Sequence, residues 1–298
     1  MNDIPLFVTT DWLAKHLDEP KLRVVDATVF MKFPEGGGPP NLKSGRSSFK
    51  QGHIPGAVYA DLIGELSDPD SKLPFTVPPR DLFIEKLTEL GIGDGTYTVI
   101  YDQNALVGDS VAASYWASRL AWQMQYEGFD QVAILEGGLQ KWLAEDRELS
   151  TELVSHPTAT FTGKRRTDML ATKEDVQKAI EDENTVLINS LSPEEFHGNQ
   201  SSDPRIGHIP SSENVYFAIH ADQQTKEIYD DDKLRASFEP TGALDPDKKV
   251  ITYCGGGIAA TWNALLLNKL GQPNVAVYDG SMNEWASDPA CPIVKSES

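Results

Sequence analysis

Short apolar runs alternate with amphipathic stretches along this chain, and that alternation defines its elements. "RVVDATVF" (Arg23–Phe30), "TVIYDQ" (Thr98–Gln103), "TVLINSLSPEEF" (Thr185–Phe196) and "VITYCG" (Val250–Gly255) are rich in β-branched and aromatic residues and read as strands. Among them, "DLFIEKLTELGI" sets Leu82, Phe83, Leu87 and Leu90 at helical spacing and closes on Gly91. "SVAASYWASRLAW" (Ser110–Trp122) and "ATWNALLLNKLG" (Ala260–Gly271) have the same character. Strands alternating with helices predict an α/β fold, a parallel sheet with helices on both faces. In such sheets ligands bind beyond the carboxyl ends of the strands, in the strand-to-helix loops.

The pattern occurs twice. "RVVDATVF" is answered by "TVLINSLSPEEF", "GHIPGAVYAD" from Gly52 by "GHIPSSENVYFA" from Gly207, "TVIYDQ" by "VITYCG", and "VAILEGGLQKW" by "VAVYDGSMNEW". The last two pairs set Asp102 opposite Cys254 and Trp142 opposite Trp285. Matches in the same order indicate a duplication, and two domains of the same α/β kind are expected: 1–145, a linker over 146–166, and 167–298. The linker stretch "EDRELSTELVSHPTATFTGKRRTD" is polar and lacks periodicity. "KFPEGGGPPNLKSGRSSF" (Lys32–Phe49) reads as a surface loop of the first half.

Composition narrows the classes. The chain has 298 residues, 40% of them apolar, enough for real cores, and no apolar run approaches a membrane span. Its 45 acidic against 26 basic residues give a net charge of −19, which argues against nucleic acid or an anionic membrane as partner. "MNDIPLFVTTDWLAKHL" has no basic start followed by an apolar stretch, so a cytoplasmic location is expected. Two cysteines far apart make no disulfide framework, and Cys291 reads as an incidental thiol.

Cys254 stands elsewhere: at the end of an expected strand, before Gly255, Gly256 and Gly257, and before an expected helix. A free thiol, with a pKa of about 8.5, is mostly protonated at neutral pH. Glycines let backbone N–H groups turn inward as an anion cradle, and the helix aims its positive end at the same point. Cys254 therefore reads as a nucleophile, although the turn by itself also suits a buried structural cysteine. No second cysteine or histidine stands at zinc-ligand spacing, and Ile258-Ala259 replace the Lys-Ser/Thr pair of a nucleotide phosphate loop.

With "GHIPGA", "GHIPSS", "LEGGLQKW", "YDGSMNEW", "SPEEF" and the cysteine loop in this order, the chain resembles the tandem-domain rhodaneses, the thiosulfate and 3-mercaptopyruvate sulfurtransferase family. The resemblance covers nearly the whole chain. It implies two rhodanese-like α/β domains, of which only the second is catalytic, with Asp102 standing where the first lacks a cysteine. It also implies a Cys254 persulfide cradled by the backbone amides of Gly255, Gly256, Gly257, Ile258, Ala259 and Ala260. The expected partners are a small-molecule sulfur donor and a thiol or cyanide acceptor, a thiol protein among the options. No cofactor and no metal are expected.

The chain departs from the family at the donor site. Thiosulfate enzymes often carry Arg or Lys after the cysteine, and mercaptopyruvate enzymes a Gly-Ser-Gly; here three glycines follow. Asn189-Ser190-Leu191 replaces an Asp-x-Arg, and Glu195 stands where mercaptopyruvate enzymes place an arginine. Arg205 and His53 are the candidate substrate contacts, each with a structural alternative: a surface salt bridge with Asp203 or Glu213 for Arg205, a turn for His53. His208 and Asp279 are read as structural. Thiosulfate is the expected donor, with 3-mercaptopyruvate, or a persulfide relay with little small-molecule turnover, as alternatives. A cysteine phosphatase needs a longer loop closed by arginine, where Ala260 and Thr261 stand.

Overall fold

Two five-stranded parallel sheets with the same strand order form the framework of the computed structural model, which describes residues 4–32, 34, 40–103, 113–199 and 205–295. The first half runs β1 (Phe7–Val8), α1 (Thr10–His16), β2 (Leu22–Asp26), β3 (Val29–Lys32), β4 (Asn41–Ser44), α2 (Arg46–Phe49), β5 (Ala57–Tyr59), α3 (Arg80–Glu89), β6 (Tyr97–Tyr101), α4 (Tyr115–Glu127), β7 (Val132–Leu135) and α5 (Gly138–Ala144). Its sheet order is β1-β7-β6-β2-β5. The second half runs β8 (Leu170–Ala171), α6 (Lys173–Ala179), β9 (Thr185–Asn189), α7 (Pro193–Phe196), β10 (Ser212–Asn214), α8 (Asp231–Phe238), β11 (Lys249–Tyr253), α9 (Ala259–Lys269), β12 (Val275–Tyr278) and α10 (Ser281–Trp285). Read from the matching edge, its order is β8-β12-β11-β9-β10. The α/β expectation and the duplication both hold.

The corners of the two halves repeat side chain by side chain. His53 stacks on Phe49 with ring centroids 4.0 Å apart, and His208 on Phe196 at 3.7 Å. Tyr101 Oη accepts from Ile54 N at 3.3 Å and Tyr253 Oη from Ile209 N at 3.1 Å. Trp142 and Trp285 each donate their indole N–H to a following carbonyl, of Glu148 and Pro292. These buried rings fix the strand-to-helix corners, which is why the "GHIP" and Trp motifs recur.

The central strands β6 and β11 are almost wholly buried, so Asp102 and Cys254 stand at the carboxyl ends of the middle strands. The helices that follow, α4 and α9, pack on each other and join the halves. Every residue of α4 except Gln125 is buried, because the helix is covered both by its own sheet and by α9. One apolar cluster accordingly runs through both halves, including Trp116 and Leu120 with Leu265 and Leu266. Ser118 Oγ meets Thr261 Oγ1 at 2.9 Å across this seam, both buried.

The polar stretch after α5 lies strapped along the first half. Ser150 pairs with His53 through both backbone groups, at 3.0 and 2.8 Å, and Thr160 O accepts from Asp94 N at 2.7 Å. Glu127, 1% exposed, takes ion pairs from Arg80 of the first half and Arg165 of the strap. One expectation needs correction. Of the stretch read as a loop, Asn41–Ser44 pairs antiparallel with Val29–Lys32, and Arg46–Phe49 is a helical turn. Gly45 makes this possible: its N–H reaches Thr28 O at 3.1 Å and Tyr59 Oη at 2.8 Å, and a Cβ there would lie 2.5 Å from Thr28 O. Phe33 and the 35–39 part of that stretch, like 110–112 of the expected helix "SVAASYWASRLAW", fall outside the described residues.

Candidate functional site

Cys254 is 2% exposed and opens the loop between β11 and α9. The loop is anchored by its carbonyls. Met282 N donates to Cys254 O at 3.0 Å and Asn283 N to Gly255 O at 2.8 Å, both from α10. Arg119 Nη1 donates to Gly257 O at 2.9 Å, Thr261 N to Ile258 O at 3.0 Å, and Thr252 Oγ1 to Ala260 O at 3.0 Å. Cys254 N itself donates to Ser281 Oγ at 3.1 Å. By contrast, none of the amides of Gly255, Gly256, Gly257, Ile258, Ala259 and Ala260 donates to an acceptor among the described residues. The amides of a helix start lack intrahelical acceptors, so six successive donors without one among the described residues, directly after Cys254, suit an anion.

Glycine is required in this loop for space. Gly257 has φ +74°, and a Cβ on it would lie 2.5 Å from Asp279 O. A Cβ on Gly256 would meet Asn283 Nδ2 at 2.8 Å, whereas one on Gly255 would meet nothing within 4 Å, which marks the open side of the loop.

The first half supplies an internal reference. At the position matching Cys254, Asp102 is fully buried, and its Oδ2 accepts from Trp116 N and Ala117 N, each at 3.0 Å, in the first turn of α4. A carboxylate thus fills the helix-start cradle in one copy of the repeat.

Arg205 and His53 are placed elsewhere than the substrate reading expected. Arg205 donates to four carbonyls, those of Trp285, Ala286, Asp288 and Cys291, at 2.5 to 3.0 Å. It caps the carboxyl end of α10 and the turn beyond, where helix carbonyls lack partners. Glu213 is not its partner, and Asp203 falls outside the described residues. His53 is fully buried, with Nδ1 2.7 Å from Phe49 O and Nε2 3.1 Å from Glu152 O, so it ties the strap to the first half. His208 repeats the contact, with Nδ1 2.7 Å from Phe196 O, in the turn role expected of it. Glu195 closes the capping box of α7 with Ser192. Asn189 Oδ1 accepts from Leu191 N at 2.8 Å, and Ser190 Oγ from Asn263 Nδ2 at 2.9 Å, so the replaced Asp-x-Arg has become a buried polar corner.

One residue of the site, Arg119, escaped the sequence reading, and Asp279, read there as structural, is its partner. Arg119, 1% exposed on α4, reaches from the first half to the cysteine loop, and Asp279 Oδ1 lies 2.7 Å from its Nη1. Asp279 Oδ2 accepts from Val77 N at 2.8 Å, again across the halves. A usable signal was present: Arg119 is the one charged residue in "SVAASYWASRLAW" after Asp109, with no polar face around it.

The turn beside this corner (Phe217–His220) packs Phe217 against Tyr115 and buries His220, which stacks on Phe238 and lies 2.9 Å from Ser237 Oγ. Burial pushes the His220 imidazole down from 6.5 to about 4. The unfolded chain therefore takes up a proton near pH 6.5 that the folded chain refuses until about pH 4, and stability is lost as pH falls through that window. The loss from this group is about 3 kcal/mol when complete. Burial lowers His208 and His156 as well, with the same sign. Urea unfolding at stepped pH is expected to show this decline, with a shallower slope in His220→Gln.

Comparison with known proteins gives a consistent result. The model of the Rhodanese-like domain matches residues 9–145 and 172–288. The chain is 32% identical over 291 residues to the 3-mercaptopyruvate sulfurtransferase of Escherichia coli (strain K12), covering 96% of this chain and 97% of that protein. It is 30% identical over 286 residues to the thiosulfate sulfurtransferase of Rattus norvegicus, covering 93% and 91%. The crystal structure of SseA from Escherichia coli, described as a 3-mercaptopyruvate sulfotransferase of rhodanese fold, superposes with a TM-score of 0.77 at 31% identity, over 93% of this chain and 99% of that one.

Proposed function

Since the chain belongs to the rhodanese family of sulfurtransferases, we propose that it moves a sulfane sulfur from thiosulfate to a thiophilic acceptor through a persulfide on Cys254. The observation that best supports this reading is the run of amides from Gly255 to Ala260, directly after Cys254, that have no acceptor among the described residues. Helix-start amides without acceptors, with the positive end of α9, suit a negatively charged group at this point of the loop. Asp102 in the first half places a carboxyl oxygen on the same kind of helix-start amides.

In the first step the Cys254 thiolate attacks the outer sulfur of thiosulfate, a sulfur–sulfur bond forms, and the bond to the sulfonate sulfur breaks. Sulfite leaves with the electron pair. In the second step cyanide, or a thiol, attacks the outer sulfur of the persulfide and leaves with it, returning the thiolate. The cycle is ping-pong covalent catalysis, and the amide cradle binds the negative sulfur in both resting and loaded forms. We assign the work to two halves: 1–145 carries Asp102 and makes no bond to the moving sulfur, 146–166 links, and 167–298 carries Cys254. The open side at Gly255 is where a donor approaches.

The donor preference rests on two absences: the serine that would assist a mercaptopyruvate proton transfer, and the arginine for its carboxylate, where Glu195 stands. Thiosulfate is expected to give the higher kcat/KM when both donors are assayed side by side with cyanide as acceptor. A much higher value with 3-mercaptopyruvate, the substrate named for the 32%-identical relative, would reverse the assignment.

A further inference from the structure

We infer that Arg119 is a positioning residue for the sulfur-carrying loop, supplied by the half that has no cysteine; this rests on Cys254 being the sulfur carrier. The argument begins with one peptide group. In a trans peptide the C=O and the following N–H point in opposite directions. Gly257 O is gripped by Arg119 Nη1 at 2.9 Å, so the N–H of Ile258 is turned to the other side of the same plane. Glycine at φ +74° has little conformational preference of its own to hold that plane. The guanidinium holds it.

The guanidinium is in turn immobilised from both halves. Its Nη2 donates to Phe75 O at 2.5 Å, and its Nη1 lies 2.7 Å from Asp279 Oδ1. The group also packs 5.1 Å from the centroid of the Trp122 ring, on a residue 1% exposed. Asp279 is fixed by Val77 N at 2.8 Å, and its own carbonyl is the atom that a side chain at residue 257 would strike. The 75–77 segment, α4, the loop and the β12–α10 turn thus meet at one side chain. A purely structural ion pair would not need a donor on the carbonyl of the loop residue with left-handed backbone. Arg119 makes that contact, and through it sets where the Ile258 amide points.

The test uses Arg119→Lys, which keeps the charge with a single donor atom, and Arg119→Gln. Two quantities are read on folded protein: steady-state transfer from thiosulfate to cyanide, and the pH profile of iodoacetamide alkylation followed on the Cys254 peptide. The expected result is a kcat lowered about 10- to 100-fold with KM within about threefold. The alkylation midpoint is expected to move to higher pH, further in Gln than in Lys. Wild-type kcat and an unmoved midpoint overturn the inference, as does a lowered thermal midpoint with both readings unchanged. If Arg119→Gln does not fold, Arg119→Lys decides by the same readings. Cys254→Ser, run in parallel, separates the two levels. Activity in that variant refutes the sulfur-carrier reading, whereas its inactivity beside wild-type Arg119 variants refutes only the role of Arg119.

Discussion

Cys254→Ser is expected to abolish sulfur transfer from thiosulfate and from 3-mercaptopyruvate, lowering kcat/KM by about a thousandfold or more. A hydroxyl does not ionise near neutral pH and cannot hold a transferable sulfur. The replacement is nearly isosteric at a site where the sulfur makes no protein hydrogen bond among the described residues, so the urea midpoint should stay close to wild type. Cys291 provides the contrast. It is 1% exposed beside Gln177 and Asp288, and burial pushes its thiol up, which keeps it protonated. Cys291→Ser should therefore retain transfer. Thiocyanate formation measured on both variants checks the pair.

Gly257→Ala is expected to have the second-largest effect, lowering kcat about a hundredfold. The added methyl would lie 2.5 Å from Asp279 O and 3.1 Å from Asp279 Oδ1, and the backbone there has φ +74°. Asp279 cannot yield, because Val77 and Arg119 hold it from the other half. The loop must shift instead, and the amides proposed to hold the sulfur are displaced with it. Gly255→Ala, where the methyl meets nothing within 4 Å, should lose far less. Kinetics of the two variants with one donor make the comparison. Equal losses would mean that the tight approach at Gly257 is unimportant.

What the sequence reveals of this site follows from the range over which each feature acts. The alternation, the duplicated corners and the strand–cysteine–glycine–helix order are local, so periodicity and repetition expose them. Cys254 and the proposed amide cradle fall in one uninterrupted stretch, which is why the sequence offers them as a candidate. The partnership of Arg119 with Gly257 and Asp279 joins different halves, and no local pattern announces it. Arg205 misled because it was the nearest cation in the sequence to the second "GHIP". The carbonyls it caps, around Trp285 to Cys291, are brought to it only by folding. His53 misled because a family role was carried to a ring whose two nitrogens both face carbonyls of its own half and the strap. The β3–β4 hairpin was hidden by a run of glycines and prolines between its strands.

The most direct test of the central claim is the intact mass of the protein after incubation with thiosulfate and removal of small molecules, followed by peptide mapping. A gain of one sulfur atom, located on the Cys254 peptide and discharged as thiocyanate when cyanide is added, is the predicted result. Continued turnover with that peptide unmodified, or with the extra sulfur on Cys291, would contradict it.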